Sequence, residues 1–336
     1  MRIIIPMAGR GSRLRPHTLT TPKPLIPIAG KPIAHRLVED IVKVIGTEVT
    51  EIAFIIHESF GKDVEKELIN IAEKLGSKGK IYYQNEALGT AHAIMCAKES
   101  LQGGVVIAYA DTLFRADFTL NTQSDSVIWV KQVEDPSAFG VVKLNPNNQI
   151  VDFIEKPKEF VSDLAIIGIY YFKSGETLRS ELQHLLDNNI TKGGEYQLTD
   201  ALENMKQKGM IFTPGKVDEW MDCGNKNVTV DTNNRILSFL QKDNLLTKPT
   251  CTSKTNATII EPCFIGKNVT ITNATVGPYV SIGDNCTIEN TTITHSLIQN
   301  NSTIKNINLQ NSMIGNHCKI DGNYTSVSIG DYTELE

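Results

Sequence analysis

Two glycines and three basic residues lie close together near the start of the chain. Gly9 and Gly11 follow a short apolar run, and Arg13, Arg15 and Lys23 come soon after them. A glycine loop exposes successive backbone N–H groups, which can form a concave anion site. Arginine and lysine donate charged hydrogen bonds that suit phosphate oxygens. The stretch therefore predicts a loop that binds a polyphosphate chain, with a triphosphate as its natural ligand.

This loop differs from two common phosphate-binding motifs. The dinucleotide fingerprint needs a third glycine where Leu14 stands, and the Walker loop needs Gly-Lys-Ser/Thr after four spacers. The chain instead reads Ala-Gly-Arg-Gly-Ser-Arg-Leu at 8–14, Pro-Lys-Pro-Leu at 22–25 and Gly-Lys-Pro at 30–32. These separated residue types, in this order and spacing, resemble the signature of the sugar-1-phosphate nucleotidyltransferases.

The resemblance implies roles for the residues of the signature. Arg13 is expected to hold the outer phosphates, and Lys23 the reacting phosphates. The nucleotide is expected to contact four neighbouring residues: Ala8, Gly9, Gly11 and Ser12. The loop spacing is closer to the N-acetylglucosamine-1-phosphate uridylyltransferases than to the thymidylyltransferases, which usually carry one more loop residue. The loop alone therefore leaves the nucleotide open.

Alternating apolar patterns predict the elements that position this loop. Apolar spacing favours strands over 2–5, 51–56 and 80–84. Helical periodicity from Ile33 to Val44, and again over 61–75, places a helix after each of the first two strands. Such alternation predicts an α/β fold with a Rossmann-like, mixed but mainly parallel sheet and flanking helices. Ligands of such a sheet bind beyond the carboxyl ends of its strands.

A second informative stretch follows the third strand. Gln84 offers an acceptor and donors in one plane, which suits the imide edge of uracil or thymine. Gly89 can let a base edge approach the backbone. Thr90, where a helix is expected to begin, is also expected to contact the nucleotide. In the thymidylyl and uridylyl branch of the resembled family, a glutamine and a glycine at this spacing bind the base. The alternative is a polar strand end followed by a helix start.

Asp111 follows an apolar strand over 104–110 and is a candidate metal ligand. A carboxylate beside phosphates suits Mg²⁺, which prefers such oxygen ligands. The resemblance adds Asp222, because Trp-Met-Asp-Cys-Gly at 220–224 resembles the family element whose aspartate shares the metal. Both aspartates are thus expected to hold Mg²⁺, with Asp111 also counted as catalytic. A lone aspartate in a loop is otherwise usually a turn or cap residue.

Residues on the sugar side come from the resemblance as well. A strand over 126–131 and a hairpin over 139–155 suggest a sugar-binding lid. Four residues match family elements that contact the sugar phosphate: Gly140, Glu155, Lys156 and Gly168. Glu155 is expected to accept sugar hydroxyl protons, and Lys156 to hold the phosphate. Taken alone, an adjacent Glu-Lys pair is more often a solvated turn.

The composition changes abruptly after a polar stretch. Aliphatic residues from Ile259 to Ile320 recur every five or six residues, a period that predicts a solenoid. The pattern resembles the left-handed parallel β-helix of hexapeptide-repeat proteins. The predicted organisation is a nucleotidyltransferase domain over 1–241, a linker over 242–255 and a β-helix over 256–336. The β-helix is expected to stack subunits into a homo-oligomer.

Composition limits the remaining function classes. The 336 residues carry a net charge of -5, which supplies no broad basic field for nucleic acid. Neither a signal peptide nor an apolar stretch of membrane-spanning length is evident, so a cytoplasmic protein without nucleic-acid or membrane partners is expected.

These expectations combine into an enzyme that joins a sugar 1-phosphate, glucose 1-phosphate favoured, to dTTP or UTP with Mg²⁺ and releases pyrophosphate. A mannose-1-phosphate guanylyltransferase is the alternative within the family. Two other classes stay open: a repeat-domain acyltransferase with His295 or His317 as base, and a regulator that binds nucleotide sugar without turnover.

Overall fold

The structure is a computed structural model that describes residues 1–9, 11–246, 253–322 and 327–335. The strands before the repeats are β1 (Arg2–Pro6), β2 (Pro27–Ile28), β3 (Lys31–Pro32), β4 (Glu51–Ile56), β5 (Lys78–Tyr83), β6 (Val105–Ala108), β7 (Thr112–Arg115), β8 (Ser126–Gln132), β9 (Gly140–Leu144), β10 (Ile150–Glu155), β11 (Leu164–Phe172), β12 (Phe212–Lys216) and β13 (Glu219–Asp222). The α-helices are α1 (Ile33–Ile45), α2 (Gly61–Lys74), α3 (Thr90–Cys96), α4 (Gly175–Asp187), α5 (Leu198–Gln207) and α6 (Lys226–Lys242).

Spatial contacts divide the chain into two compact units. The first comprises Met1–Gly9 and Leu37–Trp220, and the second comprises Arg10–Arg36 and Met221–Glu336. These units follow contacts in space, whereas the predicted domains, 1–241 and 256–336, follow the chain and stay a prediction. Within the predicted linker, residues 247–252 lie outside the described residues.

A mixed sheet organises the first unit. Its centre runs β5-β4-β1-β6 with every pair parallel, and β11 then pairs antiparallel with β6, β8 and β9. Strand β4 is buried along its whole length, as expected for a central strand with both faces covered. Ala53 and Ile55 enter the main core cluster together with Ile94 of α3 and Leu178 of α4. The predicted mixed α/β sheet is confirmed.

Stacked parallel strands build most of the second unit. The first stack contains β14 (Ser253–Thr255), β17 (Thr270–Thr272), β20 (Thr287–Glu289), β23 (Thr303–Lys305), β26 (Lys319–Asp321) and β28 (Glu334–Leu335). The second contains β15 (Thr258–Ile259), β18 (Thr275–Val276), β21 (Thr292–Thr294) and β24 (Asn308–Gln310). The third contains β16 (Cys263–Ile265), β19 (Val280–Ile282), β22 (Ser296–Ile298), β25 (Met313–Ile314) and β27 (Ser328–Ile329). These stacks confirm the predicted left-handed parallel β-helix.

Isoleucines and asparagines hold the coils of the β-helix in register. Ile271, Ile288 and Ile304 are paired in neighbouring strands and fully buried, so each coil adds one aliphatic layer to the interior. At the corners, asparagines in the left-handed conformation hydrogen-bond to the equivalent residue one coil later. The Asn268 side chain donates to Asn285 at 3.0 Å, and Asn285 donates to Asn301 at 3.0 Å. Asparagine suits these corners because it tolerates positive φ angles.

Candidate active site

The predicted phosphate loop forms a tight turn in the second unit. Gly11 is left-handed, with a φ angle of 62°, and precedes a short 3-10 helix over Ser12–Leu14. The Thr18 hydroxyl donates to the Gly11 carbonyl at 2.8 Å and closes the turn. A Cβ atom on Gly11 would lie 3.0 Å from the Cβ of Lys23, which begins a second 3-10 turn. Glycine is therefore needed both for the backbone conformation and for the approach of Lys23.

Arg13 and Asp222 approach each other over Gly224, also in the second unit. A Cβ atom on Gly224 would lie 2.9 Å from Asp222 Oδ2 and 3.3 Å from Arg13 Nη2. The Thr232 hydroxyl donates to the Asp222 carbonyl at 2.7 Å, so helix α6 fixes the backbone at this aspartate. The glycine of the Trp-x-Asp-x-Gly element thus leaves space that a side chain would fill between a guanidinium and a carboxylate.

Ala8 and Gly9 follow β1 in the first unit. The Met7 N–H donates to the Ile55 carbonyl at 2.8 Å, which carries the parallel pairing just beyond the strand. Gly9 is exposed, and a Cβ atom there would meet no described atom within 4 Å. Ser12, on the second unit, is exposed as well. These positions leave room for the ligand that the sequence predicts, and their contact with a nucleotide stays a prediction.

Gln84 lies just beyond β5, where the sequence predicts the base site. Its Nε2 donates to the Gly89 carbonyl at 3.3 Å and lies 3.2 Å from His92 Nδ1. Burial lowers the pKa of His92, although Glu86 opposes the shift, so the neutral imidazole that can accept through Nδ1 is favoured. With both amide hydrogens directed this way, the side-chain oxygen of Gln84 is available as an acceptor.

Gly89 and Thr90 hold a second chain segment against the base site. Gly89 has a φ angle of 106°, and a Cβ atom there would lie 2.4 Å from the Tyr196 carbonyl oxygen. The Thr90 hydroxyl accepts the N–H of Leu198 at 2.9 Å, at the start of α5. Glycine at 89 therefore serves a close backbone contact with the segment at the start of α5. The approach of a base to Gly89 or Thr90 stays a prediction.

Tyr109 lies among several predicted site residues of the first unit. Its ring would lie 3.0 Å from a Cβ atom on Gly168, whose φ angle is 83°, and its N–H donates to the Gly168 carbonyl at 3.0 Å. Its hydroxyl lies near Thr90 but makes no hydrogen bond of good geometry within the described residues. Burial raises the pKa of Tyr109 well above its usual value, and the charges of Asp111 and Glu155 add to the rise.

Tyr109 thus contacts Gly168, and its buried hydroxyl lies near Thr90 and feels the charges of Asp111 and Glu155. Because the pKa of Tyr109 is raised, its hydroxyl stays protonated and can only donate or accept hydrogen bonds as a neutral group. Gly168 lies where the pairing of β11 with β8 shifts register, between Ile166 and Tyr170. This bulge makes room for the Tyr109 ring.

Glu155 and Lys156 lie at the end of β10, opposite Gly140. A Cβ atom on Gly140 would lie 3.0 Å from Glu155 Oε2, so glycine there admits the carboxylate. Lys156 has a φ angle of 44°, and its N–H donates to the Phe139 carbonyl at 3.1 Å. Its ammonium is 4.0 Å from Glu155 Oε1, with the two side chains 66% and 38% exposed. Such an exposed, distant pair is weak, which leaves the lysine charge for an anionic ligand.

Asp111 and Asp222 are the residues predicted to hold magnesium. Asp111 lies in the turn between β6 and β7 of the first unit, and Asp222 ends β13. Both are partly exposed. The described residues contain no group of three or more His, Cys, Asp or Glu side chains that could enclose a metal by themselves. A donor set of one or two carboxylates completed by phosphate oxygens is typical of Mg²⁺ and fits these residues.

The two histidines of the acyltransferase hypothesis lie at corners of the β-helix coils and contact neighbouring side chains there. His317 stands where asparagines stand in earlier coils, with its Nε2 3.4 Å from the Asn301 amide. Its ring stacks on Tyr332 with centroids 4.7 Å apart. His295 is left-handed at another corner, and its ring lies 5.1 Å from that of Tyr279. Both therefore continue the corner pattern of the coils.

A glycine turn that follows the first strand of a mixed, mainly parallel α/β sheet, with carboxylates near strand ends, is typical of nucleotide-binding α/β proteins. The chain belongs to the nucleotidyl transferase family, whose sequence profile matches residues 2–238. This match confirms the family resemblance. Its span includes every predicted site residue, from Ala8 to Asp222.

Curated relatives carry several different names. The chain is 33% identical over 243 residues to a bifunctional protein GlmU of Methanococcus maripaludis, which covers 71% of the chain and 55% of that protein. It is 34% identical over 233 residues to the mannose-1-phosphate guanylyltransferase catalytic subunit beta of Drosophila melanogaster, covering 66% and 59%. It is 29% identical to the low-salt glycan biosynthesis nucleotidyltransferase Agl11 of Haloferax volcanii, covering 70% and 66%. The matches thus span a little over half to two thirds of these relatives.

Solved structures support the same fold. A crystal structure of a Bacillus anthracis protein, named a putative glucose-1-phosphate thymidylyltransferase and bound to sucrose, matches with a TM-score of 0.58 and 25% identity. The match covers 70% of this chain and 94% of that one. In the part of the chain that the structure describes, no helix has the length and apolar character needed to cross a membrane.

Three site residues escaped the sequence interpretation: His92, Tyr109 and Tyr196. His92 is about one helical turn beyond Gly89, on the face of α3 that meets Gln84. The spacing of residues on a helix that begins at Thr90 is a signal for this position. Tyr109 precedes Asp111 at a strand end and carries a polar atom into an apolar run, which is a usable signal. Tyr196 is brought to Gly89 by tertiary contact, and no local pattern predicts such a pairing.

Proposed function

We propose that this chain transfers a nucleotidyl group from dTTP or UTP to a sugar 1-phosphate, with glucose 1-phosphate favoured, and releases pyrophosphate. The observation that supports this most is the arrangement around the glycine loop. Gly11 admits Lys23, and Gly224 admits the Arg13 guanidinium beside Asp222. A lysine whose side chain starts beside the glycine turn, together with this guanidinium, suits a triphosphate.

The chemistry requires alignment more than acid–base help. An oxygen of the sugar phosphate attacks the α-phosphorus, the bond to the bridging oxygen of the β-phosphate breaks, and pyrophosphate leaves with that bond's electron pair. The attacking oxygen is already anionic, so no side chain has to remove a proton. Arg13 and Lys23 would orient the triphosphate and balance its charge, while Lys156 would hold the sugar phosphate.

Magnesium would be held by Asp111 and Asp222 together with phosphate oxygens, and when bound it supplies positive charge against the charge that develops on the phosphates. Tyr109 and Glu155 would contribute hydrogen bonds to hydroxyl groups of the substrates. Two observations support these roles: Glu155 ends β10, and the Asp222 carboxylate lies beside the Arg13 guanidinium.

The Gln84 arrangement supports the choice of base. Its side-chain oxygen can accept an N–H from the imide of uracil or thymine, whereas cytosine and adenine present an acceptor at the corresponding position. Pairing two acceptors leaves both unsatisfied and is costly in a partly buried site. Guanine also offers a ring N–H there, which keeps GTP as an alternative.

Two other substrate pairs have specific support. UTP with N-acetylglucosamine 1-phosphate is favoured by the loop spacing, which resembles the uridylyltransferases that act on that sugar. GTP with mannose 1-phosphate is favoured by the similarity to the Drosophila guanylyltransferase subunit.

A substrate matrix tests the proposal. The purified chain is assayed with dTTP, UTP, GTP, ATP and CTP against glucose, N-acetylglucosamine and mannose 1-phosphates, with pyrophosphate release as the readout. The proposal expects turnover with dTTP or UTP and little with ATP or CTP. Nucleotide-sugar binding in calorimetry without turnover of any pair would instead support a regulator, and acetyl transfer from acetyl-CoA would support an acyltransferase.

A further inference from the structure

One outer face of the β-helix is covered rather than exposed. Val280 and Ile282 point into the interior cluster, so Ser281 between them points outward. Pairing along the third stack places four more outward residues in line with Ser281: Phe264, Leu297, Met313 and Ser328. These five residues are called the seat. Ser281, Leu297 and Met313 are at most 5% exposed, because helix α6 and the segment 11–36 pack on this face.

A buried hydrogen-bond relay joins the seat to the segment 11–36, here called the signature segment. The Asn233 side-chain oxygen, on α6, accepts the Ala29 N–H at 3.0 Å and the Ser281 hydroxyl at 2.7 Å. All three residues are at most 5% exposed. A buried acceptor with two good donors is stabilising, and its loss leaves the donors unsatisfied.

The relay ends at a turn that the backbone would not adopt easily by itself. Ala29 and Gly30, with φ angles of 45° and 80°, join the short strands β2 and β3 as a two-residue turn. Left-handed alanine costs about 1 kcal/mol and persists only where surroundings impose it. Arg36 donates to the Ile28 and Ala29 carbonyls at 2.6 and 2.7 Å. The Asn233 side-chain oxygen accepts the Ala29 N–H, so both the carbonyl and the N–H of Ala29 are hydrogen-bonded to side chains.

Close packing strengthens the same attachment. A Cβ atom on Gly30 would lie 2.2 Å from the Phe264 ring of the seat, so only glycine allows this ring to lie against the turn. The opposite end of the segment meets the opposite end of the stack. His17 Nε2 is 3.2 Å from the Ser328 hydroxyl, and the Thr20 hydroxyl donates to Asp331 at 2.6 Å. Lys23 lies between these two attachments in the chain.

We propose that Asn233 and Ser281 are positioning residues for nucleotidyl transfer, through which the β-helix holds the signature segment in its phosphate-binding conformation. The inference rests on the proposed function for its catalytic part. Neither residue needs to touch a substrate. They hold the Ala29 turn, which belongs to the same segment as Lys23, and so affect the position of Lys23. A small displacement of a charged group at the phosphates lowers the rate strongly.

The test compares Asn233→Ala and Ser281→Ala with a matched control, Ser302→Ala. Ser302 is buried in the same β-helix, where its hydroxyl donates to the Gly315 carbonyl at 3.0 Å and accepts the Cys318 N–H at 3.1 Å, away from the seat. A fourth variant, Asn233→Asp, keeps an acceptor oxygen and replaces the Nδ2 group, which makes no hydrogen bond within the described residues, with a second carboxyl oxygen. Each full-length variant is assayed for kcat and KM, thermal unfolding and amide hydrogen exchange.

Both alanine variants at the relay are expected to lose about 10- to 100-fold in kcat. Their amides over 24–32 should exchange faster, whereas Ser302→Ala should lower the unfolding temperature with kcat unchanged. Asn233→Asp should recover part of the lost kcat, because it restores the acceptor but buries an ionisable group. Folded Asn233→Ala and Ser281→Ala proteins with wild-type kcat and wild-type exchange over 24–32 would overturn the inference.

Failure of the proposed function gives a different pattern. A wild-type chain that turns over no substrate pair contradicts the proposed function. In that case, the exchange over 24–32 still decides whether Asn233 and Ser281 hold the signature segment. Unchanged hydrogen exchange over 24–32 in both variants would then also contradict the role of Asn233 and Ser281 in holding the signature segment.

Discussion

The Cβ of Lys23 lies 3.0 Å from the place where a side chain on Gly11 would begin. Gly11→Ala would therefore add a clash to an unfavourable left-handed backbone at φ 62°. We expect pyrophosphate release to fall at least about 10-fold because the loop and Lys23 must separate. The free energy of unfolding should fall by about 1 kcal/mol.

Gly9→Ala is the matched control for this prediction. A Cβ atom on Gly9 meets no described atom within 4 Å, so the unfolding free energy should stay near that of the wild type. If Gly9 lies against the nucleotide, its substitution should raise the KM for the triphosphate. Equal losses of stability in the two variants would contradict the distinction between a packing glycine and a substrate-facing glycine.

Charge removal at the phosphates gives the second prediction. Lys23→Ala and Asp111→Asn should each leave a folded protein with pyrophosphate release reduced at least about 100-fold, since one preorganised charge stabilises the transition state by about 3 kcal/mol. Removal of Mg²⁺ with a chelator should abolish the wild-type rate, and added Mg²⁺ should restore it. Near-normal turnover in both variants would exclude the proposed arrangement.

Much of the fold follows from local periodicity. The predicted strand over 51–56 matches β4 in full, and the predicted helix from Ile33 to Val44 ends one residue short of α1. Such segments are predictable because a buried strand or an amphipathic helix requires a characteristic spacing of apolar residues in the sequence. The aliphatic repeat likewise predicts the coils of the β-helix, since each coil buries one residue type at a fixed position.

The sequence could not show which distant segments meet. No local pattern links Ala29 to Asn233 or Gly89 to Tyr196, because these contacts join parts of the chain that are far apart in sequence. The sequence predicts substrate contact for Gly11 and Gly89, whereas in the structure both glycines also allow close contacts with neighbouring protein groups. Spacing marks such glycines but does not reveal what lies against them.

Base recognition gives a third prediction, on Gln84 and His92. Gln84→Ala should raise the KM for the preferred triphosphate at least about 10-fold and weaken discrimination against CTP, because the acceptor for the ring N–H is gone. His92→Ala should have a smaller effect in the same direction, since His92 only orients the amide at 3.2 Å. His184→Ala, at an exposed histidine, is the control. An unchanged KM for the triphosphate in Gln84→Ala would contradict the proposed role of Gln84 in binding the base.

The buried imidazole of His17 predicts a pH dependence of stability. Burial lowers its pKa to about 4, with Asp331 opposing the shift and Lys226 adding to it. An unfolded histidine has a pKa of about 6.5, so only the unfolded chain takes up this proton between those values. The free energy of unfolding should therefore fall by about 1.4 kcal/mol for each pH unit from 6.5 down to about 4, and this contribution should be constant above 6.5.

His17→Gln separates this effect from other titrating groups. Glutamine can keep a hydrogen bond to Ser328 but carries no titratable proton, so the variant should lose the extra slope below pH 6.5. The measurement is the unfolding free energy from urea titrations between pH 4.5 and 7.5. His184→Gln, at an exposed position, should keep the wild-type slope. A His17→Gln slope equal to that of the wild type would contradict the prediction.

Tyr109→Phe removes one buried hydroxyl and leaves the ring that packs against Gly168 and Tyr170. If the hydroxyl only filled space, the variant would be as stable as the wild type or more so, because a poorly bonded polar group would be gone. If it donates to a substrate hydroxyl, kcat/KM should also fall by about 5- to 30-fold, the equivalent of a lost neutral hydrogen bond with its partner left unpaired. We expect both results together: unchanged or higher unfolding temperature with reduced kcat/KM. Comparing a sugar 1-phosphate with its analogue lacking one hydroxyl group identifies the partner, since the variant and the wild type should handle that analogue equally well.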